Sequence, residues 1–225
     1  MKALLYKEFK LAMHPICYLF VALFPFMILI PSYPLAVGFI YVLSVYPILF
    51  LGANKGQQSN DLLFSTLLPV RKKDIVLARL ITVAVMQFAF IAIMSALMPL
   101  AFLIQNNAHQ DMAAPGIGLD GFVSILAIAL IGYSIADLIF FPIYYKRGRS
   151  IVMSTLLMIL GFVVYLSIFT IALPYIPGCE WYIDFLSHKG IGVQFIVLGA
   201  ALLIYVLLHF LVYKISAKKL EHVDF

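Results

Sequence analysis

The side chains able to do chemistry in this chain are few, and most lie inside apolar runs. Gly132-Tyr-Ser134 and His209 are the residue types that an intramembrane serine protease needs, a hydroxyl nucleophile and a base to take its proton. Base and nucleophile must come within hydrogen-bond reach. Ser134 lies 12 residues before Lys146 and His209 lies 5 before Lys214. At about 1.5 Å per residue their depths differ by roughly 10 Å, which predicts a packing serine and a histidine near the inner interface. Asp137 is a separate problem. A carboxylate at the centre of a spanning helix costs about 2.5–3.5 kcal/mol, so it must face protein or a water-filled cavity. Two readings stand: Asp137 lines a translocation path for cationic, amphipathic cargo, or it bonds a neighbouring helix through a residue such as Ser154 or Gln87. Gln87 and Asn54 admit the same two roles. No GxxxxGK[ST] phosphate loop occurs, and Gly52-Ala-Asn-Lys-Gly56 does not replace it. No cofactor is therefore expected in this chain, and any ATP and Mg belong to a partner.

These residues must be positioned by helices in lipid. The 225 residues are 64% hydrophobic and 11% charged, far from the rough half and quarter of a soluble domain. A spanning helix needs about 20 mostly apolar residues. Six runs qualify, about 15–31, 35–53, 75–104, 122–145, 151–176 and 192–213. The third and fifth are long, which predicts tilt, kinks at Pro99 or Pro174, or ends that project into water. The expected fold is an all-α membrane protein of one permease-like domain over 1–225. With the N-terminus inside, Lys2, Lys7, Lys10, Lys55, Arg71, Lys72, Lys73, Arg79, Lys146, Arg147, Arg149, Lys214, Lys218 and Lys219 are cytoplasmic, and Lys189 alone is outside. That asymmetry sets orientation in a membrane. It explains the net charge of +5 with no nucleic acid partner, and it places both ends in the cytoplasm.

Lys7, Glu8 and Lys10 interrupt the first apolar stretch, and no small-x-small cleavage site follows, so this segment is expected to stay in the mature protein. Residues 2–13 read as an interfacial helix, with Leu5, Phe9, Ala12 and Met13 on one face and Lys7, Glu8 and Lys10 mostly opposite. A snorkelling extension of the first span is the alternative. Cys17 and Cys179 fall on opposite sides of the bilayer, which argues against a disulfide, and neither belongs to a metal-ligand cluster. Trp181, Tyr182, Phe185 and Leu186 are spaced for one face of a short interfacial or re-entrant helix at the outer surface.

The cytoplasmic loop 54–74 carries the clearest functional signal. Ser59 or Asn60 can cap a short helix whose first turn holds Asp61, the favourable sign at that end. It continues through Leu62, Leu63, Phe64, Ser65, Thr66, Leu67 and Leu68 and stops near Pro69. Five large apolar residues clustered in a cytoplasmic loop predict a docking surface for a soluble partner; a helix lying in the bilayer interface is the alternative. Val70-Arg-Lys-Lys73 can anchor to anionic headgroups, and Asp74 is expected to cap the third span.

Leu67-Leu-Pro-Val-Arg-Lys-Lys-Asp-Ile-Val-Leu-Ala-Arg79, preceded by an acidic residue and Leu-Leu-Phe, closely resembles a signature that follows the second span in ABC-2 type ABC transporter permeases. Leu5-Tyr-Lys-Glu-Phe9 is similar to their opening stretch, and Phe141-Pro-Ile-Tyr-Tyr-Lys-Arg-Gly148 to the inner end of their fourth span. The resemblance implies two permease subunits of six spans, docked on two cytoplasmic ATP-binding subunits. Asp61 to Pro69 would be the coupling helix, the segment with Lys7, Glu8 and Phe9 the elbow helix, and the Trp181 segment the outer re-entrant element. The chain departs from the pattern after Gly148, where Arg149-Ser150 leads straight into the fifth span. Export of hydrophobic or amphipathic cargo from the cell, peptides first, follows from similarity to exporters of membrane-active peptides. Two rivals stand beside it: a six-span solute-capture subunit of a vitamin uptake system, which would not need the Leu-rich cytoplasmic helix, and a rhomboid-like protease using Ser134 and His209.

Overall fold

Backbone groups in hydrocarbon must find their partners within their own segment, and the secondary structure follows from that demand. The structure, a computed structural model, describes residues 2–13, 15–29, 40–42, 70–108, 122–147, 151–168 and 191–222. Among these residues the elements are helical, and no strand occurs. They are α1 (Lys2–Lys7), α2 (Pro15–Leu23), α3 (Lys72–Ala108), α4 (Phe122–Arg147), α5 (Ile151–Ser167) and α6 (Ile191–Glu221).

Proline and charge decide where several helices start and change. Pro15 opens α2, where its missing N–H is no loss. Pro25 cannot donate to the carbonyl four residues back, and the chain tightens into a 3-10 stretch over Phe24–Leu29. α1 passes into a π-helical turn, Glu8–Ala12, which ends at the extended residue Met13, whose N–H donates to Glu8 O at 3.0 Å. The helical segment Lys2–Lys10 lies at 78° to Pro15–Leu29. α3 begins at Lys72, three residues earlier than expected, so Asp74 sits in the first turn rather than at the cap. Its charge there still faces the positive end of the helix.

Three of these helices, Lys72–Ala101, Val123–Lys146 and Gln194–Glu221, are long and apolar enough to cross a membrane, and the bent pair 2–29 makes a fourth if it counts as one span. α5 is apolar but shorter. The 37 residues of α3 rise about 55 Å, well beyond the roughly 30 Å of hydrocarbon. Its ends are accordingly polar, Lys72-Lys73-Asp74 at one and Gln105-Asn106-Asn107 at the other, and Pro99 is accommodated inside it. The last helix likewise runs past Tyr213 to Glu221, with Val212, Ser216, Ala217 and Leu220 turned inward. Of the predicted second span, 35–53, only 40–42 are described. The outer Trp181 segment, Pro174 and Cys179 lie outside the described residues.

α4 is the central helix. It packs chiefly against α6 and α5, and Ser124 through Leu130, Tyr133, Ala136, Phe140, Phe141, Tyr144 and Tyr145 are all buried. α6 turns Ile196, Leu203, Val206 and Leu207 outward, each more than 60% exposed. Lipid tails are as apolar as leucine, so this face needs no protein cover in a bilayer.

The α4–α5 seam is narrow because of glycine. A Cβ on Gly132 would lie 3.0 Å from Phe162 Cε2 and 3.1 Å from Tyr165 Cε1. The Tyr165 ring is held in place because its hydroxyl donates to Ile128 O at 2.9 Å. Gly132→Val will therefore overpack the seam and lower stability by about 1–3 kcal/mol. Gly199→Ala, with nothing within 4 Å of its new methyl, will be neutral or slightly favourable. Melting of the two purified variants beside the parent chain checks the contrast.

Candidate functional site

Three helices each send polar side chains into one buried position. Gln87 from α3 and Asp137 from α4 have no exposed surface, and Tyr205 from α6 is nearly as deep. Gln87 Nε2 donates to Asp137 Oδ2 at 3.0 Å, and the Tyr205 hydroxyl donates to Gln87 Oε1. His209, one turn beyond Tyr205, places Nε2 at 2.9 Å from the same Asp137 oxygen. Its Nδ1 lies 3.0 Å from Tyr205 O, and its ring stacks on the Tyr205 ring with centroids 3.9 Å apart. The four residues close a ring across α3, α4 and α6.

The ring gives a carboxyl at this depth polar partners, the Gln87 amide N–H that it accepts and the His209 imidazole beside it, which is what a carboxylate inside a span requires. Tyr41, from the described turn 40–42, packs beside it. Its ring lies 5.0 Å from that of Tyr133 and 5.2 Å from that of Phe90, and its buried hydroxyl has no hydrogen-bond partner among the described residues.

A second polar cluster lies nearer the start of α3 and the end of α4. Arg79 on α3 grips Glu8 with two nitrogens, Nε to Oε2 at 2.8 Å and Nη2 to Oε1 at 3.3 Å. Its third nitrogen, Nη1, donates to the Tyr144 hydroxyl on α4 at 3.2 Å. This forked geometry is what a guanidinium offers and an ammonium does not. Lys7 Nζ adds a longer contact to Glu8 Oε1, 3.9 Å, and the Tyr18 hydroxyl donates to Phe9 O. At the start of α3, Lys72 Nζ donates to Glu221 O at 3.4 Å and Lys73 Nζ lies 3.7 Å from Glu221 Oε1.

Set against the residues singled out in the sequence, the structure brings Asp137 and Gln87 together and leaves Ser134 apart from His209. Ser134 Oγ donates to Leu130 O in its own helix at 2.9 Å, and the His209 ring is engaged by Asp137. His209 is thus a partner of the buried carboxylate rather than a packing residue at the inner interface. The N-terminal helix keeps part of the amphipathic reading, with Met13 buried, Leu5 and Phe9 partly buried and Lys10 facing out, but Leu4, Lys7 and Glu8 are buried as well and Tyr6 faces out. The reason is Arg79, which draws the carboxylate inward. Asp61, Leu62, Leu63, Phe64, Ser65, Leu67, Leu68 and Pro69, as well as Asn54, lie outside the described residues, so the geometry of the loop helix is not on view. Sequence reasoning missed Arg79, Tyr144 and Tyr205 as parts of a site, and weighed His209 only against Ser134 and not against Asp137. A charge inside a span must find a partner, and that rule applied to Arg79 and His209 points to Glu8 and Asp137.

No group of three or more metal-ligating side chains occurs among the described residues. The family described as "ABC-2 family transporter protein" matches residues 3–221 of the chain. No curated protein and no solved structure matches it. The family match runs through the N-terminal helix, every described helix and both polar clusters, which is nearly the whole chain. The chain therefore belongs to the ABC-2 transporter family, as a multi-pass membrane permease component of an ABC transporter that works with ABC ATP-binding subunits.

Proposed function

We propose that this chain is the permease subunit of an ABC exporter in the cytoplasmic membrane, built from six spans with both ends inside. Two such subunits, identical or different, enclose the path, and hydrophobic or amphipathic molecules, peptides first, are the cargo. The ATP-binding partner holds ATP and Mg and docks on the Asp61 to Pro69 helix, which moves the third span. Residues 2–13 are the elbow helix of this arrangement.

The observation that carries the reading is the continuity of α3. It starts at Lys72, three residues after Pro69, and runs unbroken to Ala108, so a push on the loop reaches across the whole membrane. Its first turns are tied to Glu8, Tyr144 and Glu221, and a push there reaches the neighbouring helices as well. Coupling of this kind needs contacts that differ between the two states. Basic residues on the inner ends support the orientation, with Lys72, Lys73, Lys146, Lys214 and Lys218 at the corresponding ends of α3, α4 and α6.

Replacing Leu63 and Phe64 with Glu tests the docking. Each acts as a buried anchor worth about 2 kcal/mol or more, so the complex will dissociate at least ~30-fold more readily. Cargo-stimulated ATP turnover in reconstituted vesicles will fall with it. Full retention of stimulated turnover in the double variant would remove the loop from the coupling path. Co-purification of the parent chain with an ATP-binding subunit is the companion measurement, and recovery of a different membrane coupler in its place would favour the uptake reading.

A further inference from the structure

From Ile191 to Leu220 α6 holds no acidic residue, and its lysines, Lys214, Lys218 and Lys219, all fall in its last turns. Leu203, Leu207, Phe210, Lys214 and Lys218 follow one another at steps of three or four, so they lie on one face of the helix. The three apolar members are each more than half exposed, and both lysines are exposed. Burial of Val212, Ser216, Ala217 and Leu220 fixes the way this end of the helix is turned. The result is one outward stripe, apolar along its length and positive at its end.

The dimensions of the stripe are those of one phospholipid. Leu203 and Lys214 are 11 residues apart, about 16 Å of helix, against roughly 15 Å for half of the hydrocarbon core. An acyl chain laid on Leu203, Leu207 and Phe210 therefore brings its phosphate to the level of Lys214. The Lys214 side chain leans back over the Phe210 ring, with Nζ 4.6 Å from the centroid, which keeps the ammonium at the boundary between hydrocarbon and headgroup. Lys218 stands one turn, about 6 Å, further along. Neither lysine has an ion-pair partner among the described residues. The only carboxylate of α6, Glu221, lies instead 3.7 Å from Lys73 Nζ, a half-exposed contact that sets a third ammonium beside the end of the stripe. The starting turns of α6 carry no charge, so only one end of the helix discriminates between headgroups by charge.

We propose that this face of α6 binds an anionic phospholipid, with an acyl chain on Leu203, Leu207 and Phe210 and the phosphate held between Lys214 and Lys218. The site needs only that α6 crosses a bilayer; that the lipid comes from the cytoplasmic leaflet rests on the orientation proposed above. Each lysine near an anionic surface tightens binding about 5-fold, so the pair favours an anionic over a zwitterionic headgroup about 30-fold. A second copy of the chain fits this face less well. Pairing α6 with α6 about an axis along the membrane normal would set Lys214 and Lys218 against their own like charges at the same depth.

Fluorescence quenching by brominated lipid tests the site on the full chain in vesicles. Leu207→Trp is combined with Trp181→Phe, so that the one indole of the chain sits on the stripe. The vesicles contain equal parts of phosphatidylglycerol and phosphatidylcholine, with bromine on the acyl chains of one or the other. Brominated phosphatidylglycerol will quench more strongly, with a relative binding constant of about 30. Lys214→Gln with Lys218→Gln will bring that ratio to about 1, and Lys214→Arg with Lys218→Arg will keep it high. Should the double Gln variant melt below the labelled chain in phosphatidylcholine alone, Lys214→Gln by itself carries the test, with the ratio falling about 5-fold. Lys10→Gln, which neutralises an exposed cation on another helical segment, will leave the ratio unchanged. Equal quenching by the two lipids would overturn the site. A loss in Lys10→Gln equal to that in the double variant would overturn it too, by showing a general attraction of lipid to a basic surface. No quenching by either lipid would mean that protein covers this face, a second copy first, and would overturn lipid as its occupant. None of these readouts involves ATP or the ATP-binding partner, so their failure leaves the permease reading standing, and failure of the loop-docking test leaves the lipid site standing.

Discussion

Asp137→Ala will destabilise the folded chain by about 3–5 kcal/mol, the largest effect expected of any single substitution in the described spans. The lost Gln87 hydrogen bond accounts for little of it, since hydrogen bonds between spanning helices average only about 0.6 kcal/mol. The main cost comes from what is left behind. His209 would face an empty position with Nε2 deprived of the oxygen now 2.9 Å away, and Gln87 would lose its acceptor at full burial. Removing the pair together removes that cost. Asp137→Leu combined with His209→Leu will be considerably milder than Asp137→Ala alone, because apolar replacements for both members of a buried pair are often neutral. In that double variant the Tyr205 hydroxyl still donates to Gln87 Oε1, and the loss of the Gln87 Nε2 acceptor is the cost that stays. Melting of the purified proteins in detergent, read as a double-mutant cycle, separates the two accounts. Additive losses would mean that Asp137 and His209 do not act as a pair.

How far the sequence revealed this arrangement depends on the range of the interactions involved. Helix identity was legible because each apolar run is long and lipid leaves the backbone few alternatives; α4 and the start of α5 fall where the runs at 122–145 and 151–176 placed them. Helix ends were less legible. Gln105–Ala108 and Lys214–Glu221 are polar and read as loop or tail, but a helix continues into water wherever one face is covered, as Ser216, Ala217 and Leu220 are. The Gln87–Asp137 bond was one of two readings of that carboxylate, since so few polar residues in neighbouring runs can meet it. His209 was harder to place: counting residues from Lys146 and Lys214 sets it about 6 Å from Asp137 in depth, a gap that helix tilt and a long side chain can close. The facing of Glu8 was not legible locally at all. Lys7, Glu8 and Lys10 form an ordinary polar stripe until Arg79, 71 residues away, supplies a partner for one of them.

That long-range pairing makes Arg79 the second critical position. Arg79→Ala will leave the Glu8 carboxylate, 4% exposed, with only the 3.9 Å contact to Lys7 among the ion pairs described here. The loss will be about 3 kcal/mol, at the low end of the range for a broken buried pair, because Lys7 can close part of the gap. Arg79→Lys distinguishes charge from geometry. A lysine keeps the positive charge beside Glu8 but cannot hold both carboxylate oxygens and the Tyr144 hydroxyl at once, so it will restore only part of the stability. Glu8→Gln in the Arg79→Gln background replaces the ion pair with two neutral amides of similar shape, and it will be more stable than Arg79→Gln alone. The N-terminal helix itself gives the local readout: proteolysis within residues 2–12 will accelerate in Arg79→Ala and return towards the parent rate in the double amide. If Arg79→Lys matches the parent in both melting and proteolysis, charge alone anchors this helix, and the three-way grip of the guanidinium on Glu8 and Tyr144 has no mechanical role.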